Sequence, residues 1–183
     1  MGLVVSFAGR IGSGKSSVTT ALADVLGWRR AAFGDYLRAE IARSGGDPES
    51  RETLQNVGQS LVDSDPEAFC RAVLESVGFR PGEDLLVDGV RHVDIQSIIR
   101  DLVAPSEARL VYLAADDSTR VHRVSNRLQG RQDFLRAEQH RVEAELAEVL
   151  PSKADAVMDA HADLAQLVER CRDLIAGWGS NVA

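Results

Sequence analysis

Lysine is nearly absent from this chain. Of its 21 basic residues only Lys15 and Lys153 are lysines; the other 19 are arginines. A guanine-reading Asn-Lys-x-Asp segment placed after a strand therefore has almost nowhere to sit. Lys15 belongs to another motif, and Ser152-Lys153-Ala154-Asp155 lacks the asparagine and precedes an apolar run instead of following one. These absences exclude a GTPase.

Cysteine is equally scarce. Cys70 and Cys171 stand alone, in neither a metal-type nor a redox-type pair, and are expected as reduced thiols in a core. The four histidines, His92, His122, His140 and His161, never cluster, so no zinc site is expected. No apolar run approaches the ~20 residues that span a bilayer. The apolar run Met1–Ala8 has no basic flank, so no secretory leader is expected and the chain reads as cytoplasmic. A cationic excess is missing too: 28 acidic residues against 21 basic ones give a formal charge of −7. That balance argues against a nucleic-acid polymer or an anionic membrane as partner, because both need a basic surface. A small anionic ligand stays compatible, since a local cluster can override the average.

The 183 residues contain no repeat, low-complexity tract or dividing linker, which points to a single domain. Short apolar runs alternate with helical patterns along it. Leu3–Ala8, Leu85–Val87 and Leu110–Leu113 read as buried strands, with Ala31–Phe33 and Ala156–Met158 as weaker ones. Continuous apolarity suits parallel strands covered on both faces. Stripes of 3.6-residue period run through Val18, Ala21, Leu22, Val25 and Leu26, through Ile95, Ile98, Ile99, Leu102 and Val103, and from Leu164 to Ile175. The alternation predicts an α/β fold, a doubly wound parallel sheet of five strands with right-handed crossovers. A core of residues 1–34, 81–130 and 153–177 leaves two stretches over. An insert at about 35–80 and a polar excursion at about 131–152 are the expected places for segments that cover a substrate.

The strongest signal is Gly9-Arg10-Ile11-Gly12-Ser13-Gly14-Lys15-Ser16, a complete G-x-x-x-x-G-K-[ST] motif between a buried strand and an amphipathic helix. Its glycines let successive backbone N–H groups face an anion, and the following helix adds its positive end. Residues Gly9 to Ser17 are thus expected to cradle the phosphates of ATP, with Lys15 reaching the β- and γ-phosphates and the Ser16 hydroxyl on Mg²⁺. The run Leu85–Val87 closes on Asp88-Gly89-Val90-Arg91. Asp88 at the end of a buried strand beside the phosphate loop is placed to order the Mg²⁺ water shell. Glycine follows it, where hydrolytic ATPases carry a water-activating glutamate.

Phe33-Gly34-Asp35-Tyr36-Leu37-Arg38 resembles the glycine–aspartate–x–leucine–arginine segment of adenylate kinases and related nucleoside monophosphate kinases, and Asp88-Gly89-Val90-Arg91 is similar to the aspartate–glycine segment of the same family. The proline that usually precedes the arginine in that second segment is absent. Arg123-Val124-Ser125-Asn126-Arg127 resembles the start of the family's lid, with two arginines four residues apart. The resemblance covers residues 2–176. It implies an ATP- and Mg²⁺-dependent transfer of the γ-phosphoryl group to a nucleoside or deoxynucleoside monophosphate. It further implies Arg38 and Arg91 on the acceptor phosphate, Arg123 stacked on adenine, Arg127 on the transferring phosphate, and Arg131 joining from a short lid. Asp35 would orient the acceptor, unless it only caps a helix. Gln55 and Gln59 would face its base. Small phage-type deoxynucleotide kinases and archaeal P-loop proteins share the Asp-Gly-x-Arg pattern. The opening motif also resembles dephospho-coenzyme A kinase, which acts on a hydroxyl but carries Asp-Ala-Asp after its second strand. A P-loop switch protein that hydrolyses ATP slowly is the remaining alternative. Nothing in the sequence fixes an oligomeric state.

Overall fold

The computed structural model describes residues 2–125 and 148–179. Within them the chain runs β1 (Leu3–Ala8), α1 (Lys15–Leu26), β2 (Arg29–Ala32), α2 (Phe33–Arg43), α3 (Arg51–Ser64), α4 (Pro66–Ser76), β3 (Leu85–Asp88), α5 (Val93–Leu102), β4 (Glu107–Ala114), α6 (Asp117–Ser125), α7 (Leu150–Lys153), β5 (Ala156–Asp159) and α8 (Leu164–Gly177).

All five strands are parallel and lie in the order β2-β3-β1-β4-β5. Alternation along β1 divides the core. Leu3, Val5 and Phe7 point into a cluster with α1 and α8, where Val18, Leu22, Leu167, Cys171 and Ile175 are buried. Val4 points to the opposite face, where Phe69, Cys70 and Val73 of α4 meet Ile95 and Ile99 of α5. The sheet is therefore covered on both faces, as the continuous apolar runs require. Because β1 is flanked by β3 on one side and β4 on the other, the chain reverses direction across the sheet at β1. The crevice beyond the carboxyl ends of β1 and β3 is where such folds bind ligands.

Among the described residues, three helices are started by side-chain caps. Ser50 accepts from the Thr53 N–H, Asp65 from Ala68, and Asp163 from Gln166, each satisfying an otherwise orphaned donor. The stretch 35–80 thus resolves into most of α2, all of α3 and α4, and the turns between them. Helix α4 buries one face directly against the sheet core.

Two expectations need correction. The second strand is Arg29–Ala32, not Ala31–Phe33, because Phe33 already opens α2 without an intervening loop. Two charged residues at an edge strand's start break the apolar pattern that the sequence reading relied on. Val25 and Leu164, assigned to apolar stripes, are 56% and 46% exposed. Among the described residues no helix is long and apolar enough to cross a membrane.

Candidate active site

The segment from Gly9 to Lys15 leaves the central strand and turns into α1. Its fold depends on two left-handed glycines. Gly12 has φ +83° and Gly14, which caps α1, has φ +93°. Helix α6 packs behind this loop and grips it. The guanidinium of Arg120, fully buried, donates from Nη1 to the Ile11 carbonyl at 2.9 Å and from Nη2 to Asp117 at 2.8 Å. Arg10 reaches the same Asp117 oxygen at 3.2 Å. The hydrogen bond from Arg120, its charge and that of Arg10 hold the Asp117 carboxyl below its ordinary range. Arg123 donates to the Ser13 carbonyl at 3.2 Å and to the Ala160 carbonyl, beyond β5, at 2.7 Å. In a trans peptide the N–H points opposite to the carbonyl. With the Ile11 and Ser13 carbonyls turned toward α6, the N–H groups of Gly12 and Gly14 point away from it.

In front of the loop opens a cleft of about 620 Å³. It is lined on the loop side by Ile11, Gly12, Gly14, Lys15, Ser16 and Ser17, and beyond them by Asp35, Arg38, Gln55, Gln59, Asp88, Arg91 and Arg123. Of the residues singled out in the sequence, Gly9, Arg10 and Ser13 support the loop from outside this lining. A Cβ on Gly9 would meet the Leu113 carbonyl oxygen at 2.7 Å, and Ser13 is buried. Arg127 and Arg131 lie outside the described residues, as does most of the stretch 131–152.

Asp88 ends β3 opposite Phe7 of β1, and the N–H groups of Gly89 and Val90 both donate to the Phe7 carbonyl, at 3.2 and 3.3 Å. Asp88 is buried, 3% exposed. Oδ2 is bound by Arg30, whereas Oδ1 is buried without a hydrogen-bond partner. Ser16 and Asp88 offer hard oxygen donors of the kind Mg²⁺ takes, and a metal-bound water would satisfy the bare Oδ1. Among the described residues no group of three or more His, Cys, Asp or Glu could cage a cation. The residues present fit the ion.

Asp35 sits in the first turn of α2, whose N-cap is Ala32, so it is not a helix cap. Instead its two oxygens accept from Arg30 at 2.7 Å and Arg38 at 3.0 Å. On this side the wall is apolar, formed by Leu37, Leu54, Val62, Phe69 and Ile95. Phe69 is held by an edge-on contact with Phe33 at 5.1 Å between ring centroids. Gln55 and Gln59, one helical turn apart on α3, share the face toward the cleft. Arg51 and His92 also line it and were not anticipated. Arg30 was missed because the strand was started two residues too late. Arg120 was not singled out as a site residue, although its i, i+3 spacing from Asp117 was readable.

No protein-family model matches the sequence. The chain is 32% identical over 132 residues to an adenylate kinase of Synechococcus sp. (strain CC9311), covering 69% of each protein. It is 34% identical over 122 residues to a UPF0200 protein of Methanothrix thermoacetophila, covering 61% of the chain and 65% of that protein. Among solved structures, a gluconokinase from Sinorhizobium meliloti 1021 aligns with a TM-score of 0.63 at 24% identity, covering 98% of this chain and 94% of that one. A shikimate kinase from Acinetobacter baumannii aligns with a TM-score of 0.58 at 18% identity, covering 99% and 97%. At such identities the two structures establish the P-loop kinase fold and nothing finer.

Proposed function

Because the chain belongs to the P-loop nucleoside monophosphate kinase-like family, we propose that it is a cytoplasmic enzyme transferring the γ-phosphoryl group of ATP to a nucleoside or deoxynucleoside monophosphate. One observation carries the choice of acceptor. The cleft sets three arginines, Arg38, Arg51 and Arg91, beside an apolar wall bearing two glutamine amides. Arginines match the oxygens of a phosphate, apolar side chains take the faces of a flat base, and amides meet its edge. A sugar or cyclitol acceptor would call for polar partners to its hydroxyls where Leu37, Leu54, Val62, Phe69 and Ile95 stand.

In this reading the N–H groups of the loop from Gly9 to Ser17 and the Lys15 ammonium hold the β- and γ-phosphates. Ser16 and Asp88 hold Mg²⁺, which when bound neutralises charge on the phosphate oxygens. Arg38 and Arg91 grip the acceptor phosphate, Asp35 orients Arg38, and Gln55 and Gln59 meet the base. Arg123, fixed on the Ser13 and Ala160 carbonyls, borders the nucleotide end of the cleft. Arg127 and Arg131, which lie outside the described residues, are the further candidates for contact with the transferring phosphate. An oxygen of the acceptor phosphate attacks the γ-phosphorus in line, the bond to the β-bridging oxygen breaks, and ADP leaves with a nucleoside diphosphate. Gly89 follows Asp88 where a glutamate would prepare water for attack.

The test is ADP release in a coupled assay over ribo- and deoxyribonucleoside monophosphates, dephospho-coenzyme A, gluconate and shikimate. Stimulation by one or more monophosphates, with the diphosphate as product, is expected. Stimulation only by a hydroxyl acceptor, or by none of the panel, overturns the reading.

A further inference from the structure

Arg30 belongs to β2 and does not line the cleft, yet its guanidinium touches three elements that do. Nη2 donates to Asp88 Oδ2 at the end of β3, Nη1 donates to Asp35 Oδ2 in α2 at 2.7 Å, and Nε donates to Thr19 Oγ1 in α1 at 2.9 Å. Thr19 in turn donates to the Ser16 carbonyl at 3.3 Å. One side chain is therefore bonded to Asp88 directly and to the backbone of Ser16 through a single hydroxyl. These are the two residues assigned to the metal.

An ordinary structural ion pair at this depth would turn the fork of the guanidinium onto both oxygens of one carboxylate. Here the fork is split between two aspartates, and Asp88 Oδ1 stays buried without a partner. Leaving a buried acceptor bare is unfavourable, and the arrangement makes sense where a ligand supplies the missing donor. Burial opposes the charge of Arg30, but the Asp88 carboxylate and the hydrogen bonds to Asp35 and Asp88 more than offset this and raise it above its ordinary range. The cation is thus permanent. A lysine could reach one of the three partners but could not bridge them, because its ammonium is a point charge on a flexible stem.

We propose that Arg30 is the positioning residue of the metal site: it commits Asp88 Oδ2, leaves Oδ1 for a metal-bound water, and sets the Ser16 turn through Thr19. The inference rests on the assignment of Ser16 and Asp88 to Mg²⁺. Removing such a supporting contact costs about 10–100-fold in metal affinity or activity.

The test compares the wild type with Arg30→Met and Arg30→Lys. ATP binding is measured by calorimetry in EDTA and again with Mg²⁺ or Mn²⁺, and the resonance spectrum of Mn²⁺ is recorded in the complex with ATP. In EDTA all three proteins should bind ATP alike. With metal, the strengthening seen in the wild type should fall by about 10–100-fold in Arg30→Met and by less in Arg30→Lys, with an altered Mn²⁺ spectrum. In turnover with Mg²⁺, kcat should fall and KM for ATP should rise in step with the lost metal effect, while KM for the acceptor stays close to that of the wild type. Variants that melt cooperatively and keep the full metal effect would show Arg30 to be merely structural, and the inference would be wrong. Should Arg30→Met fail to fold, Arg30→Lys, which keeps the buried charge, decides between the same two outcomes. A wild type whose ATP affinity ignores metal would overturn the assignment of Ser16 and Asp88, and this inference with it.

Discussion

A Cβ placed on Gly12 would lie 2.7 Å from the carbonyl oxygen of Arg120 and 2.9 Å from Cγ2 of Val124. The valine can rotate away, but the carbonyl is backbone in the helix that braces the loop. The positive φ of Gly12 adds a second obstacle for any other residue, about 1–3 kcal/mol of backbone strain. Gly12→Ala should therefore fold with a melting temperature several degrees lower. Its larger loss should be in nucleotide binding, about tenfold or more, because the loop or α6 must shift. Thermal melts alongside ATP titrations check this. A folded Gly12→Ala protein with wild-type ATP affinity would show that the close packing of α6 on the loop is dispensable.

Gln59 offers a reading of the acceptor's base. Its Nε2 donates to Asp63 Oδ1 at 2.8 Å, and its Oε1 is buried with no hydrogen-bond partner. An ionised carboxylate only accepts, so Asp63 fixes which end of the amide is nitrogen and leaves an acceptor oxygen for an N–H on the base edge. Gln59→Leu should lower kcat/KM for the preferred monophosphate by about tenfold, the worth of one hydrogen bond to a buried group. The change should fall mainly on KM, since the base is held alike before and during transfer. Steady-state kinetics over the monophosphate panel measure it, and an unchanged kcat/KM would remove Gln59 from the site.

Local patterns were legible and long-range partnerships were not. The strand Leu3–Ala8 and the loop that follows occupy one continuous stretch, so both could be read before any neighbour was known. The common face of Gln55 and Gln59 follows from their spacing on a helix. By contrast, the three partners of Arg30 lie 5, 11 and 58 residues away, and the strand carrying it begins with two charges that no apolar pattern includes. Arg120 sits in a polar helix, yet its partner Ile11 is 109 residues distant, and only the packing of α6 behind the loop buries it. Asp35 could be read as a helix cap because Asp just before a helical stretch favours that position. With Phe33 opening α2 directly, it falls in the first turn, where Arg30 and Arg38 share it.

The two thiols lie on opposite faces of the sheet, Cys70 among the side chains of α4 and α5 and Cys171 between α8 and β1. Burial pushes each up to about 12. At pH 8 only about one in ten thousand would be thiolate, the reactive form. A thiol reagent should thus label neither in native buffer and both in denaturant. Cys70→Ser and Cys171→Ser variants, labelled across a urea series, would then report the opening of each face separately. Rapid native-state labelling of either thiol would contradict its place in the core.

His161 joins the ends of β4 and β5 and sets a pH dependence of stability. Its Nδ1 contacts Asp159 Oδ1, and its Nε2 lies 3.2 Å from Asp116 Oδ2. The hydrogen bond to Asp159 leads the causes that raise the imidazole above its ordinary value, with the nearby carboxylate charges adding to it. Both aspartates are lowered. Asp116 is held down chiefly by hydrogen bonds from Thr119 and Ser118, and Asp159 by the His161 backbone and ring, with Arg170 nearby. A raised histidine stabilises the fold fully below its unfolded value of about 6.5, and that part is lost as pH rises through the folded value. The lowered aspartates contribute fully above about 3.9 and lose their part as pH falls through their folded values. The cluster is therefore most stabilising between about pH 4 and 6.5. All three side chains are exposed, so the effect is modest and screened by salt. Urea melts of the wild type and His161→Gln at pH 5.5, 7 and 8.5 should differ most at pH 5.5 and converge at pH 8.5. A gap that stays constant or widens with pH would mean that the imidazolium contributes nothing through these two carboxylates.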